Sequence, residues 1–265
     1  MNKITITTLE SMKGVGGKIV AITAYDASFA HLCENAGVDL LLVGDSLGMV
    51  VQGYDSTLPV TVDQMVYHTA CVVRATEHVL VVADMPFMAY STTDQALETA
   101  ARLMKEGGAE MVKLEGGGPQ LETVRYLTER GIPVCGHLGL TPQSVHQLGG
   151  YRVQGRERDA ATAMLEEAVA LQQAGAQMLV LECVPQRLAT EISNTLDIPV
   201  IGIGVGAGTD GQVLVLYDVI GISVNRIPKF AHDFMQGAVS IEGAVQAYVL
   251  AVREGAFPRQ ENTFE

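Results

Sequence analysis

Short runs of β-branched and leucine residues alternate along the chain with longer stretches of helical apolar spacing. The runs cover residues 19–23, 39–44, 79–83, 110–114, 132–136, 177–181, 198–203 and 213–220. They are continuously apolar rather than alternating, which predicts strands covered on both faces, as in a parallel sheet. Residues 28–36, 62–76, 93–106, 120–129, 158–174 and 185–196 predict helices between them. Gly37, Gly107, Gly131 and Gly175 stand just past the last turns, where glycine commonly ends a helix. Eight strand–helix repeats in about 250 residues are the arithmetic of an α/β protein of the (β/α)8 TIM-barrel type. The rival is an open doubly wound sheet, whose first turn carries glycines. Here that turn reads Ala24-Tyr25-Asp26-Ala27. Residues 6–15 precede the first strand and predict a short N-terminal plug helix under the barrel. Nothing in the chain looks like a linker, so residues 1–265 are expected to form a single catalytic domain. Its last residues, 257–265, read as a polar, loose tail.

Composition narrows the function. The 265 residues are 48% apolar, which excludes a disordered chain, and only 18% charged. So little charge for a solvated surface predicts burial against copies of itself, a homo-oligomer. The net charge of −13 opposes long-range attraction to nucleic acid or anionic membranes, and neither is an expected partner. No apolar run reaches the ~18 residues of a membrane span, and the first residues lack the apolar core of a secretory signal. Cys33, Cys71, Cys135 and Cys183 form no C-x-x-C pair, which argues against zinc and dithiol chemistry. They suit buried thiols in a reducing, cytoplasmic setting.

Polar residues collect at the ends of the runs, where barrels keep their catalytic groups. Asp45, Asp84 and Glu115 follow three consecutive strands, which lie ~4.8 Å apart, so their carboxylates can meet. Acids that close repel unless a cation or protons lie among them. An all-oxygen set favours a hard ion, Mg2+. Each acid could instead cap the helix that follows it. Lys113 shares a strand face with Glu115; it could hold a substrate carboxylate, form a Schiff base, or pair structurally with Glu115. Glu182 ends the sixth run, opposite the second in an eight-strand ring. It could act as general base or as a helix N-terminal acid. His137 could be an acid–base group or a pocket wall, and Ser46 a substrate contact or a turn residue. Long connections at 46–61 and 138–157 predict lids over this end. The glycine-rich 202–211 is a weak dinucleotide signal, because only one strand remains after it; a phosphate loop or a wall of close backbone approach fits better.

Several motifs carry a resemblance. They are Ile22-Thr23-Ala24-Tyr25-Asp26, Val43-Gly44-Asp45-Ser46-Leu47-Gly48-Met49, Ala83-Asp84-Met85-Pro86-Phe87-Met88, Val112-Lys113-Leu114-Glu115-Gly116, Cys135-Gly136-His137-Leu138-Gly139-Leu140-Thr141-Pro142-Gln143 and Leu181-Glu182-Cys183-Val184-Pro185. Essentially end to end, the chain resembles the ketopantoate hydroxymethyltransferases. The resemblance implies a TIM barrel and a Mg2+-dependent transferase. Its members pass a hydroxymethyl group from 5,10-methylenetetrahydrofolate to 3-methyl-2-oxobutanoate (2-oxoisovalerate), giving ketopantoate for pantothenate and coenzyme A. Carried over by motif, it implies metal binding by Asp45, Asp84 and Glu115, substrate contacts from Asp45, Ser46, Asp84 and Lys113, and Glu182 as base. It also implies a large homo-oligomer, commonly a decamer. Outside that family, a lysine-based aldolase or a non-catalytic binder of 2-oxo acids remains a competing reading.

Overall fold

Eight parallel strands pair in chain order and close on themselves: β1 (Ile19–Thr23), β2 (Leu40–Val43), β3 (Leu80–Asp84), β4 (Met111–Glu115), β5 (Val134–Gly139), β6 (Met178–Glu182), β7 (Val200–Ile203) and β8 (Gly211–Leu214). This computed structural model describes residues 2–224 and 227–265. Nearly every strand residue is buried, as expected where one face fills the barrel and the other carries helices.

The helices are α1 (Ile6–Gly14), α2 (Ala27–Asn35), α3 (Leu47–Val50), α4 (Val62–Val73), α5 (Thr93–Lys105), α6 (Leu121–Thr128), α7 (Arg158–Gln173), α8 (Gln186–Thr195), α9 (Leu216–Val219) and α10 (Ile241–Arg253). Local chemistry starts several of them. Asp26, Thr61, Thr92 and Ser240 each accept a backbone N–H of the first turn, and Gln64 completes a capping box with Thr61.

Helix α1 is the expected plug. Leu9 is fully buried, and Lys13 donates to Ser193 O, Ile198 O and Asp210 Oδ2 at 2.8–2.9 Å. Lys3 reaches Val79 O at 2.7 Å and Glu110 at 2.8 Å. Apart from Ser193, in the last turns of α8, these partners sit at or near the N-terminal ends of strands, so α1 seals the end opposite the site.

Three sequence expectations change in detail. Residues 213–220 hold the end of β8 and then α9, because a continuous apolar run has no period that separates strand from buried helix. Residues 204–210, between β7 and β8, contain no helix. That segment runs so close to α8 that a side chain at Gly206 would strike Gln186 and one at Gly208 would strike Thr190. The glycines of 202–211 therefore serve close packing. The tail is not loose. Asn262 Nδ2 donates to Lys229 O (3.0 Å) and Ala231 O (3.1 Å), and Lys229 Nζ donates to Thr263 O at 2.8 Å. Phe257 is buried against Phe234 and Tyr248 over the β1–β8 seam, where Tyr248 donates to Ala21 O.

Candidate active site

The C-terminal ends of the strands surround a cavity of about 420 Å³. Asp45, Ser46, Asp84, Lys113, Glu115, His137 and Glu182 all line it. Their placement follows from register. Asp84 ends β3 level with Lys113 of β4, Glu115 ends β4 level with His137 of β5, and Glu182 ends β6 level with Gly139. Lys113 and Glu115, two apart on one strand, share the inward face.

Lys113 is the centre of this set. Its Nζ lies 3.0 Å from Asp84 Oδ1 and 3.3 Å from His137 Nδ1, with the side chain 4% exposed. Burial alone would lower its pKa, but Asp84, Glu115 and Asp45 more than offset this and raise it, so the amine is held as ammonium. Two of the acids are raised as well. Burial, then the charges of Asp84 and Glu115, raise Asp45 well above the ordinary aspartate value. Burial pushes Glu115 up to about 7, against the pull of Lys113. Burial and Lys113 lower His137, which is therefore neutral. An ammonium can only donate, so His137 Nδ1 accepts and its proton sits on Nε2, facing Glu182 Oε2 at 3.4 Å.

Lys113 and a residue not singled out from sequence, Gln143, occupy the space between the acids. Asp84 Oδ2 accepts the backbone N–H of Asp45 at 3.0 Å. Gln143 Nε2 donates to Asp45 Oδ2 at 2.8 Å, and its backbone N–H donates to Glu115 Oε2 at 3.0 Å. Consequently no three His, Cys, Asp or Glu side chains among the described residues are drawn together as a ready-made metal cage. Mg2+ does not need one: it keeps several waters and takes one or two protein carboxylates. The donor set suits it. All three acids are oxygen ligands, two of them have raised pKa values, and Asp84 Oδ1 is buried without a hydrogen bond, Lys113 being near but off its bonding direction.

Ser46 Oγ lies 2.9 Å from Tyr25 OH, which fixes the turn after β2. Cys183, next to Glu182, has φ +48°, a costly backbone state for a non-glycine residue. Its carbonyl accepts Gln154 N–H at 3.0 Å, tying the 138–157 connection to the end of β6. That connection meets the 46–61 connection where Tyr151 OH approaches Met49 Sδ at 3.6 Å, and both Tyr151 and Met49 line the cavity. Cys135 is buried and its thiol is pushed up to about 12, so it is no nucleophile at neutral pH.

A family model described as ketopantoate hydroxymethyltransferase matches residues 3–260. The chain belongs to that family. It is 60% identical over 261 residues to the 3-methyl-2-oxobutanoate hydroxymethyltransferase of Alkalilimnicola ehrlichii, covering 98% of this chain and 94% of the relative. The enzyme of the same name from Nitrosococcus oceani is 57% identical over 264 residues, covering 100% of both. Among solved structures, phosphoenolpyruvate phosphomutase from Streptomyces platensis subsp. rosaceus superposes with a TM-score of 0.61 at 14% identity, covering 82% of each chain. That last likeness is one of fold. Within the ketopantoate hydroxymethyltransferase family, sequence reasoning passed over Gln143 and Tyr90. The Thr141-Pro142-Gln143 motif was visible, but its contacts span 53 and 98 residues of chain.

Proposed function

We propose that this protein transfers a hydroxymethyl group from 5,10-methylenetetrahydrofolate to 3-methyl-2-oxobutanoate, forming ketopantoate on the route to pantothenate. One arrangement carries the reading: an ammonium among three acids on one wall of the cavity, with Glu182 on the other. Family membership supports it.

Asp45, Asp84 and Glu115 would hold Mg2+, directly or through its waters. When bound, the ion supplies Lewis-acid polarisation of the keto acid. Ser46 and Lys113 bind the substrate's oxygens, and Lys113, held as ammonium, offsets negative charge as the C3 proton leaves. Glu182 takes that proton. His137 Nε2–H lies 3.4 Å from Glu182 Oε2 and is left without a hydrogen bond, a buried donor beside the base. One water replaces both folate nitrogens on the methylene carbon, freeing tetrahydrofolate and a one-carbon carbonyl. The C3 carbanion bonds to that carbon, and its oxygen takes the electron pair of the broken C=O bond and the proton held by Glu182. Overall, keto acid, methylene donor and one water give ketopantoate and tetrahydrofolate. Tyr151 and Met49, meeting over the mouth, limit the access of bulk water. The four cysteines are free, which suits a cytoplasmic enzyme, and exposed Tyr67, Val239 and Leu250 suit a homo-oligomer such as a decamer.

Exchange of the C3 proton of 3-methyl-2-oxobutanoate with solvent deuterium, with Mg2+ and without folate, tests the base. The wild type should exchange. Glu182→Gln should lose exchange by about 100-fold or more while still binding the acid; full exchange in that variant rejects Glu182.

A further inference from the structure

Gln143 lies in the turn after β5, is 6% exposed, and uses each of its side-chain hydrogen-bonding groups. Its Nε2 donates to Asp45 Oδ2 (2.8 Å) and to Met85 O (3.0 Å). Both partners are acceptors, which fixes the amide's orientation. Its Oε1 then accepts from Tyr90 OH at 2.5 Å. The Tyr90 oxygen in turn accepts Glu115 N–H at 3.3 Å, and Gln143 N–H donates to Glu115 Oε2 at 3.0 Å. The bonds form a closed ring. It joins the turns after β2, β3 and β5 to the end of β4, and it takes one oxygen of Asp45 and one of Glu115. The second oxygen of each carboxylate makes no bond to the ring.

We propose that Gln143, braced by Tyr90, is the positioning residue that orients Asp45 and Glu115 toward a divalent cation. The proposal rests on the metal reading given above. Gln143 does not touch substrate; it acts through the two acids. A carboxylate in a cavity can rotate and offer either oxygen. Fixing one oxygen removes that freedom before the ion arrives, which is how groups behind metal ligands typically contribute 10–100-fold to affinity or activity. A purely structural glutamine would need only its bonds to Met85 O and Tyr90.

The probe is Mn2+, with the free ion counted by electron paramagnetic resonance, on full-length protein whose fold is checked by circular dichroism. Gln143→Met keeps the length of the side chain and removes its amide; it should weaken Mn2+ binding by about tenfold or more. Tyr90→Phe removes only the brace and should give a smaller loss in the same direction. The double variant should bind no worse than Gln143→Met, because both changes break one ring. Gln143→Asn, which keeps the amide one methylene short, should recover part of the affinity. Binding within twofold of wild type in both single variants overturns the proposal, as does a double loss equal to the sum of the single losses. Should Gln143→Met fail to fold, Tyr90→Phe decides alone. If the wild type binds no Mn2+, the metal reading falls and this proposal with it; wild-type binding with insensitive variants removes this proposal only.

Discussion

Lys113 has more than one chemistry open to it in the sequence, and its surroundings choose between them. A Schiff base requires a neutral amine, and lysines used that way lose their proton through burial or a neighbouring cation. Here burial is opposed by Asp84, Glu115 and Asp45, and the acids win. The amine therefore serves as a charge beside substrate. Borohydride added to protein and 3-methyl-2-oxobutanoate should leave the mass of the chain unchanged. A covalent adduct on Lys113 would instead favour an aldolase. The acids and Lys113 were legible because strand-end position and alternation place them without knowledge of distant contacts. Gln143 and Tyr90 were not, because their roles arise from bonds between turns that only the closed barrel brings together.

Elements were legible where burial imposes one pattern. Strands covered on both faces read as solid apolar runs, and the predicted helices α2, α4 and α5 carry side-chain caps. Legibility fails where tertiary contact overrides local pattern. The polar tail is ordered by Asn262 and Thr263, whose partners lie more than 30 residues away. For the segment between β7 and β8 the sequence leaves a phosphate loop and a wall of close backbone approach both open, because its glycines have no local explanation. Their explanation is α8, whose Thr190 leaves no room for a side chain at Gly208. Gly208→Val should then lower the melting temperature, by about 1–3 kcal/mol of stability on the scale of overpacked sites. Because the clash lies outside the barrel, Mn2+ affinity should hold. A phosphate-loop role predicts the reverse: little change in melting and loss of an anionic ligand.

At the scale of the whole molecule, a surface with few charges and exposed Tyr67, Val239 and Leu250 predicts self-association. Sedimentation at micromolar concentration should show a species several times the 28.2 kDa chain mass; a monomer would remove that reading. Global stability also registers the buried acids. Glu115 has a folded pKa raised to about 7 from 4.5. Between those values the folded state holds a proton that the unfolded state has lost, so stability falls as pH rises through that window and levels off above it. Asp39 and Asp218, also raised by burial, add the same sign at the acid end. In metal-free buffer the melting temperature of the wild type should therefore fall more between pH 5 and 8 than that of Glu115→Gln. A divalent ion favours the ionised acids and must displace the proton below pH 7. Mg2+ should accordingly raise the wild-type melting temperature more at pH 8 than at pH 6. An equal or larger rise at pH 6 would mean that the ion binds away from these carboxylates.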